Sequence, residues 1–106
     1  MFARIVTIPL KAGSRSEYGS MIQKTVVPLL RSYKGFLDHM GLVSLDGKTS
    51  VGISLWDSRE SAEAYSRSGF SEVMKALEQV AAGPPQVQLC DVTNSTAHKI
   101  AAAAGA

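Results

Sequence analysis

Between positions 51 and 74 the chain reads VGISLWDSRESAEAYSRSGFSEVM, and the spacing of its apolar residues changes once within that stretch. Val51, Ile53 and Leu55 alternate with Gly52, Ser54 and Trp56, the rhythm of a strand that shows two different faces. Helical spacing follows. Ala62 and Tyr65 share a face, and after Gly69 the pattern resumes with Phe70, Val73, Met74, Leu77 and Val80, so a helix bent near Ser68 and Gly69 is expected. Asp57 and Glu60 mark its start. A carboxylate at the cap accepts a free amide of the first turn while the glutamate three residues on reaches back, an acidic form of the capping box.

The segment FARIVTIPL at 2–10 is rich in β-branched residues and predicts a first strand of about eight residues; Arg4 is its only charged side chain. Ser14 or Ser16 can cap the next helix, whose apolar positions are Met21, Ile22, Val26, Leu29, Leu30 and Tyr33, with Tyr18 extending the face. Pro28 lies inside that pattern and withholds the hydrogen bond owed to the Lys24 carbonyl, which predicts a kink rather than an end. Gly35 breaks the helix. FLDHMGLVSL at 36–45 then predicts a second strand, turning through Asp46 and Gly47 into a third at 48–56. Gly83-Pro84-Pro85 stops the second helix, and Val87, Leu89 and Asp91 alternating with Gln88, Cys90 and Val92 predict a fourth strand.

The order βαββαβ gives an α+β, ferredoxin-like domain: an antiparallel four-stranded sheet with two helices on one face. Both alternating sets on the strands carry large apolar residues, so the uncovered face calls for a second subunit, and a homodimer is expected. The domain takes in residues 1–93. The Ala-rich tail NSTAHKIAAAAGA at 94–106 is marginal as an isolated helix and is expected either to fray or to dock on a neighbouring subunit.

Composition narrows the function classes. The 106 residues suffice for one core, and 45% apolar with 19% charged residues is the balance of a globular protein. Eleven basic and nine acidic residues leave a net charge of +2 with no basic run, so nucleic acid is not an expected partner. No apolar run approaches the roughly 20 residues of a membrane span, and a strand pattern starts directly after Met1 without a signal-peptide layout; a cytoplasmic protein with no membrane partner is expected. Cys90 is the single cysteine, which excludes an internal disulfide and a thiolate cluster within one chain. Neither a metal nor a cofactor is expected.

Few residues stand out chemically. His39, on the second strand, is a candidate general base because its ordinary pKa lies near neutrality; the alternative is a structural histidine. His98 sits in the Ala-rich tail, where a solvated side chain is the default. Trp56 stands where strand meets helix, either walling a pocket for a flat aromatic ligand or wedged in the core. Tyr65 can donate into the same pocket or pack. Arg4 and Asp38 occupy strand interiors, where an unpaired charge is costly, so they either pair with each other or orient a polar ligand group. Met40 and Met74 read as core filler rather than metal ligands.

Lys34-Gly35-Phe36-Leu37, the run Ser54-Leu55-Trp56-Asp57-Ser58 with Glu60 and Ala64-Tyr65, and Phe70 with its following turn resemble the antibiotic-biosynthesis-monooxygenase-like proteins of the dimeric α/β-barrel superfamily, over about residues 2–93. The resemblance implies a ferredoxin-like subunit paired with its twin in a barrel, and a ligand pocket between sheet and helices. Haem-degrading members use an asparagine on strand one, a tryptophan on helix two and a haem-ligating histidine further on; this chain offers Arg4, Tyr65 and Met74 there, which argues against haem. Cofactor-free quinone-forming members use an asparagine, a tryptophan and a tyrosine where this chain has Gly52, Trp56 and Ala62, with Tyr65 one helical turn past the missing tyrosine. The resemblance thus implies a cofactor-independent monooxygenase for a small aromatic or quinol-like substrate. His39 would take the proton, Arg4, Tyr65 and Trp56 would complete the catalytic group, and Asp38, Phe70 and Met74 would contact the substrate. A non-redox binding or isomerase-like protein of the same fold is the alternative.

Overall fold

The computed structural model describes residues 1–100, so the last part of the Ala-rich tail lies outside the described residues. The elements are β1 (Phe2–Pro9), α1 (Arg15–Met21), a π-helical turn (Ile22–Val26), α2 (Val27–Arg31), β2 (Phe36–Val43), β3 (Thr49–Trp56), α3 (Arg59–Ser68), α4 (Phe70–Leu77) and β4 (Gln86–Asp91). The strands form one sheet in the order β2-β3-β1-β4, and every adjacent pair is antiparallel. This is the expected βαββαβ architecture.

The first helical segment departs from the expectation in an informative way. Instead of kinking at Pro28, the chain widens one turn earlier, and the Val27 amide donates to the Ile22 carbonyl five residues back. Pro28 stands at the start of α2, where a missing amide costs least; the wide turn displaces the ladder before the proline would break it. The second helix bends where the sequence placed the bend, at Gly69. A side chain there would fall 2.8 Å from the Tyr33 hydroxyl and the Tyr65 ring, so only glycine lets the helix pack this closely.

Two local details correct the sequence reading. Helix α3 is capped by Ser58, whose hydroxyl accepts from the Ser61 amide at 3.1 Å, and not by Asp57 with Glu60. The β2–β3 connection occupies 44–48 rather than Asp46 and Gly47 alone, and the Asp46 carboxylate holds it by accepting from both the Lys48 amide and the Ser44 hydroxyl.

The core lies between the helices and one sheet face. Ile8, Tyr18, Ile22, Val26, Leu30, Trp56, Tyr65, Val73, Leu77 and Val80 are buried in it. Register sets the helix-side residues in rows across the sheet: Phe2–Trp56–Phe36, Arg4–Ser54–His39, Val6–Gly52–Gly41 and Ile8–Ser50–Val43. The opposite face carries Met40 and Leu42, both exposed, beside the half-buried Ile5, Val51, Ile53 and Leu55. Met40 is therefore surface, not the core filler expected. No described helix is long and apolar enough to cross a membrane.

Candidate functional site

Arg4 is the least expected residue of the sheet. It is 4% exposed, and neither ion pair among the described residues involves it. Its Nε donates to the Ser66 hydroxyl at 2.8 Å, and its guanidinium lies 4.0 Å from the Phe70 ring centroid and 5.2 Å from that of Tyr65. Ring faces compensate part of the desolvation of a cation, though less than a carboxylate would. Burial lowers the Arg4 pKa, yet a guanidinium remains charged at any physiological pH.

The guanidinium lines a small cavity between sheet and helices. Val6, Tyr18, Ile22, Val26, Val73 and Leu77 make its apolar walls, and Arg4, His39, Ser54 and Tyr65 supply the polar groups. Its volume is about 40 Å³, room for a few waters, against roughly 300–1,000 Å³ for a typical small-molecule site. His39 also lines an outer groove of about 430 Å³ with Gln23, Val27, Arg31, Phe36, Leu37 and Asp38. The imidazole thus stands at the boundary between the interior and solvent.

Burial pushes the His39 pKa down, and the neighbouring Asp38 charge only partly offsets it. At neutral pH the ring is therefore neutral and able to accept a proton. Tyr65 is the converse case: burial raises its phenol to about 12 although Arg4 pulls the other way, so it is a neutral hydroxyl and a donor. Among the described residues no hydrogen bond occupies that hydroxyl. Ser54 is already engaged, accepting from the Trp56 indole at 2.9 Å and lying 3.5 Å from the Arg4 carbonyl.

The structure therefore brings Arg4, His39, Tyr65 and Phe70 around one cavity and leaves three of the expected residues out of it. Trp56 is completely buried, stacked on Tyr65 at 5.3 Å and edge-on to Phe36; it is the wedge and not a pocket wall, because its row lies beyond Arg4 and its donor is spent on Ser54. Asp38 does not pair with Arg4. A register irregularity between Phe36 and Asp38 sets its row with Leu55 on the opposite face, where it accepts from the His39 amide and lies 3.0 Å from His98 Nε2. Its carboxyl pKa is lowered, chiefly by His98. Met74 packs half-buried against the core and does not reach the cavity. His98, expected to be solvated, is instead the partner of Asp38.

Sequence reasoning passed over Ser66 and Gly41. Ser66 donates to the Ala62 carbonyl while accepting from Arg4, a back-bonding habit of helical serine that would have placed its oxygen toward the sheet. Gly41 is register partner of Gly52; two glycines at corresponding places in adjacent strands were the available signal.

No family model matches the chain, and no curated protein matches it. Solved structures do match. A monooxygenase from the ActVA-Orf6 gene of Streptomyces coelicolor, solved with Nanaomycin D, superposes with a TM-score of 0.73 at 24% identity, covering 89% of this chain and 88% of that one. SnoaB, a cofactor-independent oxygenase from Streptomyces nogalater, gives 0.70 at 18% identity, covering 92% and 97%. A protein of unknown function from Nitrosomonas europaea gives 0.73 at 12% identity, covering 90% and 91%. The chain has the ferredoxin-like α+β fold of the antibiotic biosynthesis monooxygenase-type proteins. Likeness at these identities is likeness of fold, on which unrelated chemistries can be built.

Proposed function

We propose that the protein is a cofactor-independent monooxygenase acting on a small aromatic or quinol-like substrate with an acidic oxygen. The observation that carries this reading is Arg4, a buried cation without a carboxylate partner among the described residues, facing an apolar cavity that also holds a neutral imidazole. A charge so placed is stabilised when an anion joins it, and an anion formed inside the cavity requires a base at its edge. His39 takes the proton, Arg4 and the Tyr65 hydroxyl hold the resulting phenolate or enolate, and the apolar walls keep water away. Shared fold with SnoaB and the Streptomyces coelicolor monooxygenase supports the redox step.

The chemistry balances without a cofactor. Proton loss from a ring CH₂ conjugated to the acidic oxygen gives a carbanion that passes one electron to O₂; the radical pair combines to form a C–O bond. The peroxide anion takes back the proton held by His39, and the resulting hydroperoxide loses water and leaves a carbonyl. One oxygen atom enters the product and the other leaves as water, the substrate supplying all the electrons. Given the cavity's size, only the acidic end of the substrate enters it, and the remainder lies toward solvent at the edge where His39 stands.

A non-redox reading, binding or isomerisation of the same anion, draws on Gly52 and Ala62, which stand where quinone-forming relatives by resemblance have asparagine and tyrosine. Oxygen uptake separates the two. With a hydroxyanthrone as substrate, wild-type protein should consume one O₂ per quinone formed, and Arg4→Gln should lose most of that turnover while remaining folded. Tight binding without oxygen uptake or quinone would remove the monooxygenase and leave the binding protein.

A further inference from the structure

The His39 ring rests on two residues that have no side chain. His39 and Gly41 stand two apart on β2 and share the helix side, with Ser54 and Gly52 as their register partners on β3. An added Cβ at Gly41 would lie 3.6 Å from His39 Cε1, and one at Gly52 would lie 3.8 Å from His39 Nε2. The imidazole therefore leans along β2 from its own row toward the next, about 6.7 Å away, into space that side chains at 41 and 52 would otherwise fill. Backbone conformation does not call for glycine at either place, since the positive-φ glycines are Gly13, Gly35 and Gly47. Glycine inside a strand weakens it and commonly marks a close approach by another group. Here that group is the ring of His39.

Hydrogen bonding does not fix the ring in that direction. Among the described residues no hydrogen bond reaches the imidazole, and the Asp38 carboxylate next to it in sequence accepts from the His39 backbone amide instead. We infer that Gly41 and Gly52 are positioning residues for His39: the bare backbone of the two strands seats the imidazole and turns Nε2 toward the cavity that Arg4 and Tyr65 line. This rests on the reading proposed above, in which His39 is the base, and adds what holds the base in place. Nε2 is the atom an added Cβ at Gly52 would meet first, and Gly52 borders the cavity. The seat has a size limit. A methyl group would stand at ordinary contact distance from the ring, but valine fills two of the three staggered positions on Cβ, and its γ-carbons would take the ring's place. A displaced ring has the outer groove open to it, which His39 already borders. In the groove it would lose the burial that now disfavours its charged form.

NMR titration of the imidazole Cε1–H in the full chain reads the ring directly. The chain has two histidines, and the signal missing from His39→Asn assigns the one in question. The charged and titratable groups around the ring are Arg4 on β1, Tyr18 on α1, Tyr65 on α3 and, in the groove, Asp38 and Arg31; the substitutions alter none of them. Gly52→Val and Gly41→Val should each move the His39 midpoint up toward the ordinary value of about 6.5, whereas Gly52→Ala and Gly41→Ala should leave it near that of wild type. In oxygen uptake with the hydroxyanthrone, the acid limb of the valine variants should rise in step, and their plateau rate should fall by about tenfold or more, because the base no longer faces the cavity. A His39 midpoint and chemical shift unchanged by valine would overturn the inference. So would alanine as disruptive as valine, which would trace the effect to the backbone and not to the space above it. Gly41 is exposed on the edge strand, so Gly41→Val decides the matter if Gly52→Val does not fold. A wild type that takes up no oxygen, or a turnover indifferent to a displaced ring, would sink the reading of His39 as the base and leave the seat standing on the NMR result.

Discussion

Trp56 and His39 show how differently two residues of one face can be used. Trp56 is sealed, its indole stacked on Tyr65 and its N–H donated to Ser54, so truncation opens a cavity and strands a hydroxyl partner. Trp56→Ala should cost roughly 3–5 kcal/mol in urea unfolding, the range of a core aromatic truncation; a loss under about 1 kcal/mol, outside that range, would contradict the wedge. His39 stands at the cavity boundary with its pKa depressed by burial. Its folded value is below its unfolded one, so as pH falls the unfolded chain takes the proton first. The stability it contributes is complete above about 6.5, the ordinary histidine value, and is lost as pH falls through the lower folded value. Turnover by the free enzyme should share that acid limb, since a protonated imidazole cannot accept. His39→Asn should abolish turnover and flatten the stability profile between neutrality and mild acid. A wild-type rate independent of pH across that window would remove His39 as the base.

At the level of elements, periodicity was sufficient for what periodicity controls. The alternation in β3 and the spacing of Tyr65, Phe70 and Val73 were legible because burial on one face imposes them, and the Gly69 bend was legible because glycine is a strong breaker. Where hydrogen bonds chose between near-equal local options, the sequence read less well. Asp57 and Ser58 are both good caps, and the choice of Ser58 depends on the chain's entry angle from β3, which no local pattern encodes. Pro28 predicted a distortion, but its relief through a π turn at Ile22–Val26 depends on how the helix packs over the cavity. Pairing of charges was read worst. Arg4 and Asp38 are both strand residues, and a bulge at the start of β2 decides which face Asp38 takes. One irregular residue reverses side-chain direction, so the expected ion pair became an isolated cation in the site and a carboxylate on the other side of the sheet.

That other side concerns the whole molecule. From Asp91 at the end of β4 to the contact between His98 and Asp38 on β2, the chain must pass the width of the sheet, three strand spacings or about 14 Å. The segment therefore crosses the open face at the end bearing Asp38 and Leu55, and leaves the apolar remainder uncovered: Met40 is 59% and Leu42 45% exposed, beside Ile5, Val51 and Ile53. Contiguous apolar surface of this kind is uncommon on a lasting monomer. The occupant that needs no further partner is a second copy, since a two-fold axis sets the same stripe against itself and an interface of standard size, about 1,200–2,000 Å² in total, would exclude water from it. The protein should then sediment at about twice 11.3 kDa at micromolar concentration. Met40→Glu combined with Leu42→Glu should yield a folded species of 11.3 kDa, because charges facing each other across the axis repel while the core on the helix side is untouched. Aromatic binding by that monomer would show that each subunit holds a complete site, as the helix-side position of Arg4 and His39 requires. A wild-type chain that stays at 11.3 kDa at every concentration, with the spectrum of a folded protein, would remove the barrel and leave the stripe without an occupant.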